Sequence, residues 1–361
     1  MQTERGALID FVKYGVIVGI VLGLVGGATT LFLFGGSQDP ADRRACVQPP
    51  DEFAWNSTQP ESATPKQTLS GSGEVVTEQN STYQIEYRAE RTRNSSVFAG
   101  VSHDNQLEWH DGKLYLLGQY HCTHLYKSDS DTVPMTADGW EINRTDVFYR
   151  VKPPGDSVDN MLRANGSWYA YYSRSVLTGD SLNGNWSWYK SLPEGIDDTG
   201  VYHENGTFHM FYEAGNTSGL SGSKIGYATS PNGISDWTIR EPVYRSEDGF
   251  KTGDYEIVKH DGMYLVFADR SKEHPKYDVA LFATAELGTN LTYIGNVAAP
   301  FRNSSVQPEK GIQDPTVAYD ETREKFVLYA HAHEERRRLH AATVDISISR
   351  SSVGTINQTA S

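Results

Sequence analysis

The chain has 361 residues, of which 38% are hydrophobic, 11% aromatic and 22% charged, and its formal net charge is −14. This composition supplies a sizeable buried core and excludes a disordered chain. The negative charge argues against nucleic acid as a partner, because phosphate binding needs a concentrated positive surface.

Residues 14–34, "YGVIVGIVLGLVGGATTLFLF", carry no charge. A helix of about 20 such residues crosses the hydrocarbon core of a bilayer, so the sequence predicts a transmembrane helix at 14–34 after a cytoplasmic segment at 1–13. A cleaved signal peptide is the alternative, but its apolar core is shorter and a small-residue cleavage site should follow. Small residues also recur every fourth position on one face of this helix, which favours self-association in the membrane. They are Gly15, Gly19, Gly23 and Gly27.

Acceptor triplets for N-glycosylation, N-x-S/T, all lie after this span. They begin at Asn56, Asn80, Asn94, Asn143, Asn165, Asn185, Asn205, Asn216, Asn290, Asn303 and Asn357. Glycans are attached only on the far side of the membrane, so we expect a single-pass protein of the cell membrane with its folded domain outside the cell. In that compartment Cys46 and Cys122 are expected to form a disulfide, with two free thiols as the alternative.

Residues 35–75 are rich in Pro, Ser, Thr, Gln and Gly and are predicted to form a stalk, and residues 351–361 a flexible tail. Between them, residues 76–350 carry a repeated strand, tight turn and aromatic-rich strand. The five copies are "LEWHDGKLYLLGQ", "MLRANGSWYAYYSR", "VYHENGTFHMFYEA", "IVKHDGMYLVFAD" and "TVAYDETREKFVLYAHA". Third and fourth short strands follow most copies, which predicts an all-β, five-bladed propeller rather than a β-sandwich.

A carboxylate recurs at one register of these repeats. Counting back eight residues from the turn glycines Gly112, Gly206 and Gly262 gives Asp104, Asp198 and Asp254. If each hairpin begins with the innermost strand of a blade, these side chains point toward a shared central funnel.

The second and fifth repeats differ. The second has Val158 in register with Asp159 beside it, and the fifth has Asp314 close to the same place. We therefore expect Asp159 and Asp314 to contact substrate at the funnel, together with Arg270 as a partner for a substrate hydroxyl or carboxylate.

The hairpins "HENGTFHMFYEA" and "HDGMYLVFAD", and above all "KIGYATSPNGISDWT", resemble the blades of the five-bladed propeller glycosidases of glycoside hydrolase families 43 and 32. The likeness spans residues 100–348. It implies that an Asp on blade one is the base or nucleophile, an Asp on blade three orients the acid, and a Glu on blade four is the acid. Asp104 and Asp198 match the first two roles. On blade four the residue in register is Asp254, and the Glu lies two positions later at Glu256, on the same face of an ideal strand.

Cleavage of a glycosidic bond needs one ionised and one protonated carboxyl group. Crowding acids in a partly dry funnel provides both states, because like charges a few ångströms apart do not ionise together. The sequence therefore favours an extracellular glycoside hydrolase acting on an oligo- or polysaccharide. A noncatalytic carbohydrate-binding or adhesion propeller is the alternative, and a sialidase-like enzyme is a weaker one.

Histidine pairs at His121 and His124, and at His331 and His333, lack a third ligand at a recognisable spacing. We expect surface or funnel-lining histidines there and no catalytic metal or cofactor. A structural Ca²⁺ in the funnel stays an alternative.

Overall fold

The computed structural model describes residues 67–77, 81–91, 96–99, 102–119, 123–135, 139–144, 147–148, 158–172, 175–189, 192–214, 223–273, 276–297, 311–332 and 338–352. The chain divides into two units, 1–47 and 48–361, and all described residues belong to the second. Within these residues no helix has both the length and the apolar character needed to cross a membrane. The predicted span at 14–34, Cys46 and Cys122 lie outside them.

Strands in the described residues form five antiparallel sheets, which confirms the predicted five-bladed propeller. Three N-terminal strands come first: β1 (Gln67–Val76), β2 (Ser81–Arg91) and β3 (Ser96–Ala99). Sheet 1 contains β4 (Ser102–His110), β5 (Lys113–Gln119), β6 (Thr123–Ser128) and β7 (Trp140–Arg144). Sheet 2 contains β8 (Asn160–Ala164), β9 (Ser167–Tyr172), β10 (Ser175–Gly179) and β11 (Trp186–Tyr189).

The next two sheets repeat this pattern. Sheet 3 contains β12 (Ile196–Glu204), β13 (Thr207–Ala214), β14 (Lys224–Ser230) and β15 (Thr238–Arg245). Sheet 4 contains β16 (Lys251–His260), β17 (Met263–Glu273), β18 (Lys276–Thr284) and β19 (Thr292–Asn296). Sheet 5 begins with β20 (Ile312–Asp320), β21 (Lys325–Ala332) and β22 (Arg338–Ser352).

The N-terminal strands complete sheet 5. Its order is β20, β21, β22, β2 and β1, and β3 pairs with the start of β22. The sheet therefore joins both ends of the described chain and closes the ring. Its first strand starts at Gln67, nine residues before the predicted start of the propeller at 76, and its last described strand runs to Ser352, two residues into the predicted tail.

Two of the tight hairpin turns predicted from the sequence are Asn-Gly turns. Asn165 and Asn205 have φ of 51°, and the glycines that follow them, Gly166 and Gly206, have φ of 81° and 75°. Two consecutive residues at positive φ make the turn that matches the twist of a hairpin, and Asn-Gly is the favoured pair for it. These turns fix the register of the inner two strands of sheets 2 and 3.

Alternating side chains bury each sheet against both of its neighbours. In β9, Trp168 and Tyr172 join an apolar cluster with Leu117 of sheet 1, whereas Tyr169 joins one with Phe208 of sheet 3. Similar clusters lie between sheets 3 and 4, 4 and 5, and 5 and 1. The period of two along a strand thus explains why aromatic residues are so frequent here.

Polar side chains tie the innermost strands of sheets 1, 2 and 3 together. Gln106 Nε2 donates to the Asp159 carbonyl oxygen at 2.6 Å, and Asn160 Nδ2 donates to Gln106 Oε1 at 3.3 Å. The Val201 N–H donates to Asn160 Oδ1 at 3.2 Å. These residues are buried, so each satisfied group stabilises the ring by avoiding an unpaired polar atom.

Thr316 makes the equivalent link between sheets 4, 5 and 1. Its hydroxyl donates to Glu256 Oε2 at 3.1 Å and accepts the Leu107 N–H at 2.9 Å. At the remaining seam, between sheets 3 and 4, the backbones approach directly. A Cβ added to Gly200 would lie only 2.1 Å from the Tyr255 carbonyl oxygen.

We predict that Gly200→Ala lowers the free energy of unfolding by about 1–3 kcal/mol, because backbone rather than a flexible side chain must move to admit the methyl group. Thr238→Ala, at an exposed position of β15, is the control and should change stability by less than about 0.5 kcal/mol. Urea unfolding of both variants measures the difference. Equal stabilities would show that the seam is not close-packed.

Candidate active site

The innermost strands of four sheets each contain a break in register. The pairing with the next strand shifts between Ser102 and Gln106, Asp197 and Gly200, Gly253 and Glu256, and Gln313 and Thr316. Such breaks are β-bulges, which bend a strand and redirect a side chain.

An aspartate lies in every one of these breaks, six residues before the end of its strand. They are Asp104, Asp198, Asp254 and Asp314. Asp198, Asp254 and Asp314 have φ of 43°, 48° and 55°, the left-handed region that Asp tolerates better than most residues. Asp314 therefore occupies the same position as the other three, although its hairpin turn is longer. In sheet 2 this position is taken by Val158, which is buried.

Asp198 lies over the strand that carries Asp254. A Cβ added to Gly253 would lie 2.8 Å from Asp198 Oδ2 and 3.6 Å from Glu213 Oε2. The absent side chain of Gly253 leaves room for the Asp198 carboxylate, and the charges of Asp198, Glu213 and Asp254 all act on Tyr277, so sheets 3 and 4 bring the three acids together.

Sheets 4 and 5 add two more acids. One carboxylate oxygen from each of Asp254, Asp269 and Asp314 lies within 4.8 Å of the others. The Asp314 N–H donates to Asp269 Oδ1 at 2.9 Å, which fixes one sheet against the next. We call Asp198, Glu213, Asp254, Asp269 and Asp314 the acidic cluster.

The acidic cluster has the oxygen donors that a hard divalent cation prefers. Asp269 and Asp314 are 2% and 3% exposed, so their charges are largely removed from solvent. Three carboxylates this close either share protons or are balanced by positive charge. Asp254, Asp269 and Asp314 are therefore the residues that fit the structural Ca²⁺ considered from the sequence.

Two further side chains border the acidic cluster. Burial and the charges of Asp269, Asp254, Glu213 and Asp198 raise the pKa of Tyr277 to about 12, so its hydroxyl is neutral and can donate a hydrogen bond. His331 is fully buried, and its Nδ1 lies 3.5 Å from Asp314 Oδ2.

Glu256 lies in a different environment from Asp254. The bulge interrupts the alternation of side chains, and the Glu256 carboxyl accepts a hydrogen bond from Thr316 within the ring of interblade contacts. Burial raises the pKa of Glu256 to about 8, and the charge of Glu108 adds to this effect. Burial also raises the pKa of Glu108 to about 8, although the backbone and charge of Arg163 oppose the shift.

Asp159 and Arg270 make contacts outside the acidic cluster. Asp159 Oδ2 accepts hydrogen bonds from the N–H and hydroxyl of Thr199, at 3.3 and 3.4 Å. The Arg270 guanidinium pairs with Asp248 at 3.3 Å and lies 3.5 Å from the ring centre of Phe250. These contacts tie neighbouring segments together, and a role in substrate binding stays a prediction for both residues.

Asp104 lies in β4 at the register break, but its side chain lies outside the described part of the structure. Its backbone position is equivalent to those of Asp198, Asp254 and Asp314. The catalytic role expected for it stays a prediction.

Sequence reasoning missed Glu213, Asp269 and Tyr277. Glu213 and Asp269 each lie seven residues after a turn glycine, Gly206 and Gly262, so the same counting applied to the second strand would have found them. Tyr277 is the second residue of β18, the third strand of its sheet, and no turn glycine at a constant spacing precedes it.

A separate cavity of about 420 Å³ opens at the hairpin turns of sheets 1 and 2. It is lined by Glu108, Trp109, His110, Asp111, Arg163, Ala164, Asn165 and Gly166. Because β4 runs from its bulge to His110, which lines the cavity, this cavity and the acidic cluster lie toward opposite ends of the innermost strands.

Several solved structures with similar folds are glycoside hydrolases. A thermostable family-43 glycoside hydrolase matches with a TM-score of 0.50 and 15% identity, over 73% of this chain and 94% of that one. A GH43_1 enzyme from Xanthomonas citri complexed with xylose matches with a TM-score of 0.51 and 12% identity, over 67% and 86% of the two chains. The chain has the five-bladed propeller fold of the GH43 enzymes.

An α-L-arabinofuranosidase from Podospora anserina in complex with cellotriose also matches, with a TM-score of 0.50 and 12% identity, over 71% of this chain and 94% of that one. No protein-family model matches the sequence, and no curated protein matches it. At these identities the likeness concerns the fold, and the chemistry must be argued from the residues.

We predict that Glu256→Gln flattens the pH dependence of stability. The folded-state pKa of about 8 exceeds the ordinary value of 4.5, so the stability linked to this proton is complete below about pH 4.5 and is lost as pH rises to about 8. Glutamine keeps an acceptor for Thr316 but cannot ionise.

Urea unfolding near pH 5 and pH 9 measures this effect. The loss of unfolding free energy between the two values should be smaller in Glu256→Gln than in the unmodified protein by at least about 1 kcal/mol. Glu194→Gln, at an exposed turn, should leave the loss unchanged. Equal losses in all three proteins would mean that Glu256 does not hold its proton in the folded state.

Proposed function

We propose that this chain is a membrane-anchored extracellular glycoside hydrolase whose catalytic carboxylates lie at the bulges of the innermost strands. The observation that carries the proposal is the convergence of Asp198, Asp254 and Asp314, which come from three separate sheets, with Glu213 and Asp269. Structural aspartates that merely cap turns would have no reason to share one cluster.

In this proposal Asp254 protonates the leaving oxygen of the glycosidic bond. It is partly exposed, whereas Asp269 and Asp314 are buried, so substrate can reach it more easily than it can reach those two. The nearby negative charges favour the protonated form of one carboxyl group, which is the state a general acid needs. Glu256 is the alternative acid, because its raised pKa keeps it protonated near neutral pH, but it is 8% exposed and already bonded to Thr316.

Asp104 is the proposed base or nucleophile, and Asp198 orients Asp254 from its place over Gly253. The neutral Tyr277 hydroxyl is a suitable donor to a sugar hydroxyl or to one of the carboxylates. As positive charge develops on the sugar ring, the ionised members of the acidic cluster would stabilise it.

The proposed ligand is an oligo- or polysaccharide. Xylose and cellotriose are the sugars bound in two of the similar structures, which supports a carbohydrate without specifying one. A Ca²⁺ held by Asp254, Asp269 and Asp314 would keep Asp254 ionised, so in this proposal Asp254 acts as the acid with no cation bound there.

Membrane attachment through residues 14–34, with self-association through their glycine face, completes the proposal. The acceptor asparagines Asn165, Asn185, Asn205 and Asn290 are exposed, as glycosylation outside the cell requires. A noncatalytic carbohydrate-binding propeller is the second candidate, favoured by the Asp rather than Glu at the blade-four register.

We predict that Asp198→Asn lowers kcat/KM for glycoside hydrolysis by about 10²- to 10⁴-fold, because the variant loses the charge that positions and tunes the acid. Asp197→Asn is the matched control, since Asp197 is the exposed neighbour on the same strand. Turnover is measured on xylo- and arabino-oligosaccharides and on a panel of aryl glycosides.

The Asp197→Asn protein should keep its rate within about twofold. Equal rates for the two variants would remove Asp198 from the mechanism. Sugar binding without turnover in the unmodified protein would establish the noncatalytic alternative.

A further inference from the structure

The direction of the strands gives the propeller two different faces. Each innermost strand runs from its bulge to the first hairpin turn, so the acidic cluster lies toward one face and these turns lie toward the other. Because the sheets are antiparallel, the connection between the third and fourth strands of a sheet also lies on the turn side. We call these sides the cluster face and the turn face.

Four of the five acceptor asparagines in the described part of the chain lie on the turn face. Asn165 and Asn205 occupy the first hairpin turns of sheets 2 and 3. Asn185 lies between β10 and β11, and Asn290 lies between β18 and β19, so both belong to connections between third and fourth strands. Among the described residues the one other acceptor, Asn143, lies in the outer strand β7, near its cluster-side end.

The surroundings of the two hairpin turns leave space for a bulky group. A Cβ added to Gly166 or to Gly206 would meet no atom within 4 Å, so both turns project into solvent. The asparagines beside them are exposed. An attached glycan would therefore displace no packed side chain.

The fold itself does not require an acceptor triplet at these turns. Asp111 and Asp261 occupy the same turn position in sheets 1 and 4, with φ of 50° and 46°. Aspartate thus adopts this turn conformation as asparagine does, but it is not a glycan acceptor. The residues after the two glycines, Lys113 and Met263, are neither Ser nor Thr, so these turns contain no part of an acceptor triplet. Sheets 2 and 3 combine the turn with an acceptor.

We infer that N-linked glycans on Asn165, Asn185, Asn205 and Asn290 cover the turn face of the propeller. Such a cover makes the turn face hydrophilic and too crowded for a large partner. The inference rests on the extracellular location included in the proposed function.

Glycopeptide mass spectrometry tests it on the full chain purified from the cells that naturally make it. Occupied glycosylation at three or all four of these asparagines is the expected result. Modification at two or fewer would overturn the inference.

Two variants of one triplet test the assignment to individual sites. Asn205→Asp keeps the turn chemistry of sheets 1 and 4 but removes the acceptor, so it should lose the Asn205 glycan and keep the other three. Thr207→Ser preserves the triplet and should keep all four. An unchanged glycan mass in Asn205→Asp, or its loss in Thr207→Ser, would contradict the assignment.

Hydrolysis of the same preparations separates this inference from the proposed function. Normal turnover without turn-face glycans would overturn the inference and leave the hydrolase standing. Glycans at these asparagines, together with no turnover of any sugar, would support the inference and contradict the proposed hydrolase.

Discussion

The structure depends on how each innermost strand approaches the axis of the propeller. In an uninterrupted innermost strand, side chains would point alternately toward the two neighbouring sheets. None of them would point toward the propeller axis at the level of the acidic cluster. The bulges break that alternation, and Asp198, Asp254 and Asp314 adopt left-handed backbone conformations within them. Such strain persists only where the surroundings hold it, and it commonly marks functional sites.

Contacts between the sheets hold the acidic cluster against its own repulsion. Buried amides and hydroxyls, such as Asn160 and Thr316, connect one innermost strand to the next, and Gly200 lets two backbones approach where no side chain fits. Sheet 5 closes the ring with strands from both ends of the described chain. The acids thus stay close because the whole ring fixes them. Carboxylates at this distance must share a proton or a cation, and the proposed chemistry depends on that sharing.

The sequence predicted the architecture because its cause is local: turn residues, alternating aromatics and a repeat that five hairpins share. It also predicted the register of Asp198 and Asp254, since the distance from bulge to turn is constant. It did not predict the start of sheet 5, because the pairing of Glu90 with Thr343 joins residues far apart in the chain. Nor could alternation separate Asp254 from Glu256, because one inserted residue at the bulge changes which side chain reaches the cluster.

The most direct measurement is a crystal structure of the Asp198→Asn protein with a bound oligosaccharide. We expect a glycosidic bond between the carboxyl groups of Asp104 and Asp254, which should be about 5–5.5 Å apart for a retaining enzyme or about 6.5–9.5 Å apart for an inverting one. A sugar bound away from the acidic cluster, or an Asp104 carboxyl group directed away from it, would rule out the proposed mechanism.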